Sequence, residues 1–172
     1  LYPLQNGQIR IGETDISDVS LTELREKIAI VPQETDILSG TILENICLNR
    51  AVDMDRVIQL CQQVGLDDFI RSLPEGYHTV LQEQGANVSG GQKQKMGIVR
   101  ALYRQPAILL LDEATASLDT ISESVVQKCL QYHRQKGITI IIVAHRLTTL
   151  QFCDEIIVMQ QGKLMERGSH EY

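Results

Sequence analysis

Gln105-Pro106-Ala107-Ile108-Leu109-Leu110-Leu111-Asp112-Glu113 is the stretch from which the fold is read. Ile108 to Leu111 is a continuous apolar run, too short for a helix and lacking the alternation of a half-solvated strand. It therefore reads as a strand buried on both faces of a parallel sheet. Such a strand ends at a ligand crevice. Two adjacent acids, Asp112 and Glu113, stand at its carboxyl end, where burial would be costly unless a metal ion or a polarised water uses the charge. Acidic pairs at solvated strand ends are common, but this one follows four apolar residues and precedes Ala114-Thr115-Ala116-Ser117-Leu118-Asp119.

Two more segments read as buried strands of the same sheet. Ile28 to Val31 leads into Pro32-Gln33, and the β-branched run Thr139 to Val143 leads into Ala144-His145-Arg146. His145 thus stands at the same sheet edge, 33 residues (145 − 112) after Asp112, where a neutral imidazole can donate to a phosphate oxygen. His78, His133 and His170 have no such placement and read as structural or surface residues.

Upstream, 23 residues (112 − 89) before Asp112, lies Asn87-Val88-Ser89-Gly90-Gly91-Gln92. Ser89 opens a helical pattern with Met96, Val99 and Leu102 on one face. Gln92 stands three positions on, the capping-box spacing in which each side chain satisfies the other's backbone donor. Two glycines in the first turn leave the amides bare at the positive end of the helix dipole, which suits an anionic group. Taken alone, these four residues read equally well as a plain helix cap.

From Thr41 to Arg104 helical patterns dominate: Asp53 can cap a helix through Val64, Leu66 to Ser72 makes a short one, and Pro74-Glu75-Gly76 is a turn. Strand patterns flank this block, with Ile9 to Gly12 a short strand and turn, and Gly162 a closing hairpin between Ile156-Val158 and Lys163-Met165. The stripe Val125, Val126, Cys129 and Leu130 reads as a helix packed on the sheet.

A 172-residue chain that is 43% hydrophobic suits one domain with a sizeable core. A net charge of −6 without a basic cluster argues against nucleic acid as partner. No run approaches the roughly twenty apolar residues that span a bilayer, and no signal peptide opens the chain. Cys47, Cys61, Cys129 and Cys153 lack metal-ligand spacing and read as free thiols.

Together these segments resemble the nucleotide-binding ATPase domain of an ABC transporter, exporter type. The Asn87–Gln92 run is similar to the family's signature motif, Ile108–Glu113 to Walker B, Pro32-Gln33 to the Q-loop and Ser117-Leu118-Asp119 to the D-loop. Thr79-Val80-Leu81-Gln82-Glu83-Gln84-Gly85 resembles the X-loop of exporters, and Ser39-Gly40-Thr41-Ile42-Leu43-Glu44-Asn45-Ile46 the segment that follows their Q-loop. The resemblance implies an α/β fold with a P-loop NTPase-like (RecA-like) core and a parallel sheet, from residues 1–34 and 105–172. A helical subdomain is inserted at about 35–104.

It also implies ATP and Mg²⁺ as ligands. Asp112 and Gln33 would hold the metal, Glu113 would take the proton of the attacking water, and His145 would assist it. In the family two such domains pack head to tail. Gln33, Asp112, Glu113 and His145 would then serve this chain's own nucleotide, and Ser89, Gly90, Gly91, Gln92 and Asp119 the partner's. The implied partners are a second nucleotide-binding domain and the transmembrane domain of an exporter, at the cytoplasmic side of the cell membrane. The transported substrate is not legible, because specificity resides in membrane helices.

Three departures from the family pattern stand out. Val88 replaces the usual Leu of the signature, Gln82 stands where the X-loop often has Gly, and no GxxxxGK[ST] loop occurs in the 172 residues. Leu1-Tyr2-Pro3-Leu4-Gln5-Asn6-Gly7 resembles the stretch just after the helix that follows that loop, and Gly168-Ser169-His170-Glu171 the closing G-x-H-x-E pattern. The expectation is a domain lacking its N-terminal part and inactive as a fragment. A degenerate, non-hydrolytic domain acting as a structural or regulatory partner is the alternative. The exporter-type segments count against a third reading, a soluble ABC protein of translation or DNA repair.

Overall fold

The run at 108–111 forms the middle strand of a three-stranded parallel sheet in a computed structural model that describes residue 4, residues 6–145 and residues 147–169. The chain begins with a small hairpin, β1 (Arg10–Ile11) and β2 (Thr14–Asp15), and a helix, α1 (Leu21–Lys27), that runs directly into β3 (Ile28–Val31). After β3 come β4 (Gly40–Thr41), α2 (Ile42–Cys47), α3 (Met54–Gln63), α4 (Asp67–Ser72), β5 (Val80–Leu81) and the long α5 (Gly90–Tyr103). The chain then returns to the sheet as β6 (Ile108–Asp112) and crosses through α6 (Thr120–Gln135) to β7 (Thr139–Val143). A short α7 (Leu147–Leu150) leads to the closing hairpin β8 (Ile156–Gln160) and β9 (Lys163–Gly168) around Gly162. Leu1, Tyr2, Pro3, Gln5, Arg146, His170 and Glu171, named in the sequence reading, lie outside the described residues.

The sheet order is β3-β6-β7, with Val31 opposite Leu111 and Leu111 opposite Ile142. One face carries Ala29, Val31, Leu109 and Leu111, all buried, and Ile140 and Ile142 packed against them. Helices α5 and α6 close that face. The opposite face corrects the sequence reading. Ile30 is 61% exposed and Val143 53%, so the strands are covered on one face and open on the other among the described residues. An apolar run without alternation cannot reveal this, because both faces carry the same side chains.

Helix α5 is buried nearly all round, from Gln94 to Tyr103, because α2 and α3 pack on one side of it and β3 on the other. Fully burying each of Met96, Ile98, Val99 and Leu102 contributes about 1.5–3 kcal/mol. The predicted caps are in place. Ser89 and Gln92 form a reciprocal capping box, and Asp53 accepts from the Arg56 amide at the start of α3. Two further boxes, Ser20 with Glu23 and Thr41 with Glu44, open α1 and α2. Helix α3 ends with Gly65 at φ +65°, the Leu66 amide reaching back to the Cys61 carbonyl (2.8 Å) and the Gly65 amide to Gln62 (3.1 Å). Glycine takes this left-handed position without a Cβ clash.

All four cysteines are free, and burial pushes the Cys61 and Cys129 thiols up to about 12, which leaves them inert at neutral pH. Asp67, also buried, accepts from the Tyr77 hydroxyl (2.6 Å), Arg71 Nε (2.7 Å) and Gln62 Nε2 (3.3 Å). Burial acts to raise its pKa, but the three donors together outweigh burial and hold the carboxyl below the usual carboxylate range. With a folded-state pKa below the unfolded value of about 3.9, its contribution is complete above that pH and is lost as pH falls through the folded value. Asp67→Asn should therefore lower Tm at pH 7, and the gap to the parent should shrink in melts recorded below about pH 4. A gap that stays constant across that window would exclude this linkage.

Candidate functional site

The C-terminal ends of β3, β6 and β7 share one edge of the sheet, and each carries a polar side chain just beyond its last residues. Glu113 follows β6 at φ +47°, a left-handed backbone that costs a non-glycine residue roughly 1–2 kcal/mol. Its N–H donates to the Val143 carbonyl of β7 (2.9 Å), which fixes the turn. The carboxylate is bracketed. Gln33 Nε2 donates to Oε2 at 3.3 Å, and His145 Nε2 lies 2.9 Å from Oε1. The Glu113 side chain is 24% exposed and His145 80%, so the pair opens to solvent on the imidazole side.

Asp112, opposite Val143 in the ladder, ends β6 on the open face of the sheet and is exposed. Asp112 and Gln33, at the ends of the neighbouring strands β6 and β3, offer oxygen atoms of the kind that suit Mg²⁺, which takes one or two carboxylates and completes its shell with water and phosphate oxygens. The Gln33 amide nitrogen is committed to Glu113, so its carbonyl oxygen is the atom left for a cation. The described residues hold no cluster of three His, Cys, Asp or Glu side chains able to cage a metal unaided.

The second group of sequence candidates stands at the starts of α5 and α6. The Ser89 amide donates to Gln92 Oε1 (2.7 Å) and the Gln92 amide to Ser89 Oγ (3.2 Å), so both side chains serve the helix start. Asp119 caps α6, its Oδ1 accepting from the amides of Ile121 (3.0 Å) and Ser122 (2.9 Å), and these bonds hold its carboxyl below the usual range. The first turn of α5 abuts Ser117 and Leu118. A Cβ on Gly90 would meet its nearest neighbour at 3.8 Å and one on Gly91 at 3.5 Å, ordinary contact distances. Among the described residues, nothing packed against α5 requires glycine at either position.

Gly97, deeper in α5, is the opposite case. A Cβ there would collide with Thr35, reaching Cγ2 at 2.9 Å and Oγ1 closer still. That close approach seats the segment after Gln33 on α5. Gln94, buried, donates to the Pro32 carbonyl (3.0 Å) and accepts from Thr35 Oγ1 (3.2 Å). Arg100 donates to the carbonyls of Asn45 (2.8 Å) and Asp36 (3.0 Å), and Lys93 to Gln84 (2.7 Å). A cleft of about 440 Å³ is left between Gln33, Thr35, Gln84, Gly90, Lys93 and Ser117. The sequence reading missed Thr35, Gln94 and Gly97. Their partners lie about 60 positions away, and no local spacing signals them.

A family model described as ABC transporter matches residues 1–116. Over 172 residues the chain is 46% identical to the ABC multidrug transporter MDR5 of Trichophyton rubrum, covering 99% of this chain and 13% of that protein. It is 43% identical over 172 residues to ABC transporter B family member 6 of Dictyostelium discoideum, covering 99% of this chain and 25% of that one. A solved structure of a bacterial Atm1-family ABC exporter with ATP bound matches with a TM-score of 0.92 at 39% identity, over 98% of this chain and 30% of that one. The chain spans a quarter or less of the length of these two curated relatives.

The two kinds of glycine lead to opposite expectations in one helix. Gly91→Ala should stabilise the protein by about 0.5 kcal/mol through helix propensity, whereas Gly97→Ala should destabilise it by about 1–3 kcal/mol through overpacking against Thr35. Denaturant unfolding of both variants measures the signs, and equal signs would discard this account of α5. Glu113→Gly and Glu113→Ala remove the same side-chain contacts but differ in backbone freedom. The glycine variant should be the more stable by about 1 kcal/mol if the left-handed turn is strained, and equal stability would show that it is not.

Proposed function

Since the chain belongs to the ABC transporter family, we propose that within a longer protein it is an ATP-hydrolysing domain that powers export across a membrane. The observation that carries this is the bracketing of Glu113 by Gln33 and His145 at the carboxyl edge of a parallel sheet. A carboxylate held between two donors is oriented without being neutralised, which is what a general base needs. Glu113 accepts the proton of the attacking water, His145 orients that carboxylate through its Nε2–H, and Gln33 positions the water. Asp112 and Gln33 would hold Mg²⁺, which when bound neutralises charge on the phosphate oxygens.

The α5 N-terminus serves a different nucleotide. Gly90 and Gly91 are not required by packing, and glycine in a helix costs stability relative to alanine. Their use is to let a phosphate approach bare amides at the positive helix end. In the head-to-tail reading, Ser89, Gly90, Gly91, Gln92 and Asp119 act on the nucleotide held by a second such domain. Residues of about 35–104 act as a helical subdomain that carries this half-site, and the core is 1–34 with 105–172. The transmembrane domain of the exporter docks beside the Gln33 loop, at the cytoplasmic side of the membrane. The described residues contain no helix long and apolar enough to cross it. Without a GxxxxGK[ST] loop among its 172 residues, the chain by itself is proposed not to turn over ATP. The intact Glu113–His145 pair favours this reading over a degenerate, non-hydrolytic domain.

Two variants of the full-length protein test the two half-sites. Glu113→Gln should keep ATP binding and lower turnover by roughly 10² to 10⁴, since the amide preserves shape but cannot take a proton. Ser89→Arg should also abolish hydrolysis while leaving ATP binding to the monomer intact. Near-parental turnover in Glu113→Gln would remove Glu113 as the base, and loss of monomer binding in Ser89→Arg would reverse the head-to-tail assignment.

A further inference from the structure

Glu123 lies on the inner face of α6 and is 6% exposed, a carboxylate on the same stripe as the buried Val126 and Leu130. An apolar side chain would pack there without the cost of desolvating a charge. The carboxylate instead gathers hydroxyls from two other segments. Its Oε1 accepts from Thr149 Oγ1 at 2.8 Å and from Thr115 Oγ1 at 3.5 Å, with Gln127 Nε2 at 3.4 Å on its own helix. Thr115 and Thr149 are themselves buried. A carboxylate is an acceptor with several lone-pair sites, so one group can take both hydroxyls at once.

The position of these threonines in the chain gives the contact its meaning. Thr115 stands two residues after Glu113, on the turn that leaves β6, and Thr149 stands four residues after His145, in the segment that leaves β7. The Glu113–His145 contact of 2.9 Å joins these same two segments at the sheet edge. We propose that Glu123 is a positioning residue, clamping the Thr115 and Thr149 segments so that Glu113 and His145 stay in register. It acts through the pair and not on the reacting atoms. The proposal rests on the hydrolytic reading of Glu113 given above. A positioning contact of this kind matters because reacting groups displaced by about 1 Å lose on the order of 10²-fold in rate.

The test uses the full-length transporter, purified in detergent or nanodiscs, with ATP as the probe. Glu123→Ala should lower kcat by roughly 10- to 100-fold with KM for ATP changed by no more than about 3-fold. Glu123→Gln, which keeps an acceptor oxygen, should restore most of that loss. The loss should also vanish in a His145→Ala background, because the register being held no longer has a second member. Should Glu123→Ala fail to fold, Thr149→Val removes the 2.8 Å bond alone and should give the same kcat-selective defect and the same non-additivity with His145→Ala. Full additivity with His145→Ala, or equal kcat in the Ala and Gln variants, would overturn the clamp. Glu113→Gln is run in parallel. If it is inactive while Glu123 and His145 add independently, only the clamp has failed; if it keeps parental turnover, the base assignment itself has failed.

Discussion

The parallel register of three strands is the constraint on which the rest of the site depends. Because Val31 pairs with Leu111 and Leu111 with Ile142, the three strands finish level with one another. Residues 33, 113 and 145, separated by 80 and 32 positions (113 − 33 and 145 − 113), then meet within hydrogen-bond distance. A slip of one residue in β6 would move its side chains to the other face and take Leu109 and Leu111 out of the core. Ile108 and Leu110 would fill the vacated places, but Asp112 would turn onto the buried face, so the cost of burying that carboxylate holds the register on which the polar site depends.

What could be read from the sequence follows from the range of each interaction. The strands at 28–31, 108–112 and 139–143 announce themselves by composition, and the start of α5 by the local Ser89–Gln92 spacing. Their edge placement follows from topology rules, so Asp112, Glu113, Gln33 and His145 could be named as candidates. The coverage of the sheet could not, because Ile30, Ile141 and Val143 are as apolar as their buried neighbours. Nor could Glu123, which falls where a helical stripe calls for an apolar residue and whose partner Thr149 lies 26 positions away. The capping boxes at Ser20 and Thr41 were legible by the same spacing rule as Ser89 and were passed over.

The seam between the Gln33 loop and α5 is built differently from the interior around it. Most of the core is aliphatic, yet here Gln94 reaches Pro32 and Thr35, while Arg100 reaches Asn45 and Asp36. Asn45, almost fully buried, also accepts from the Leu38 amide (2.9 Å) and donates to the carbonyls of Leu38 (2.9 Å) and Thr41 (3.0 Å). A net hydrogen bond stabilises by only about 1 kcal/mol, less than a buried leucine, so this seam is not where the fold gets its strength.

Its value lies in the cost of alternatives. If the loop slid along α5, Gln94 would be left buried without its Pro32 and Thr35 partners and Asn45 would lose its two bonds to Leu38, at about 1–3 kcal/mol per unsatisfied group, whereas an aliphatic seam would tolerate the same slide with little penalty. The contact of Thr35 with Gly97 adds a steric stop in the same place, since a displaced Thr35 would meet the Cβ of a neighbouring residue where it now meets none. Polar satisfaction and close packing therefore specify one relative position for the loop that carries Gln33 and the helix that carries Ser89 at its start. The two proposed half-sites are joined by a contact that is modest in strength and strict in geometry. The Gln94 and Arg100 bonds would have to break before either element could shift without the other.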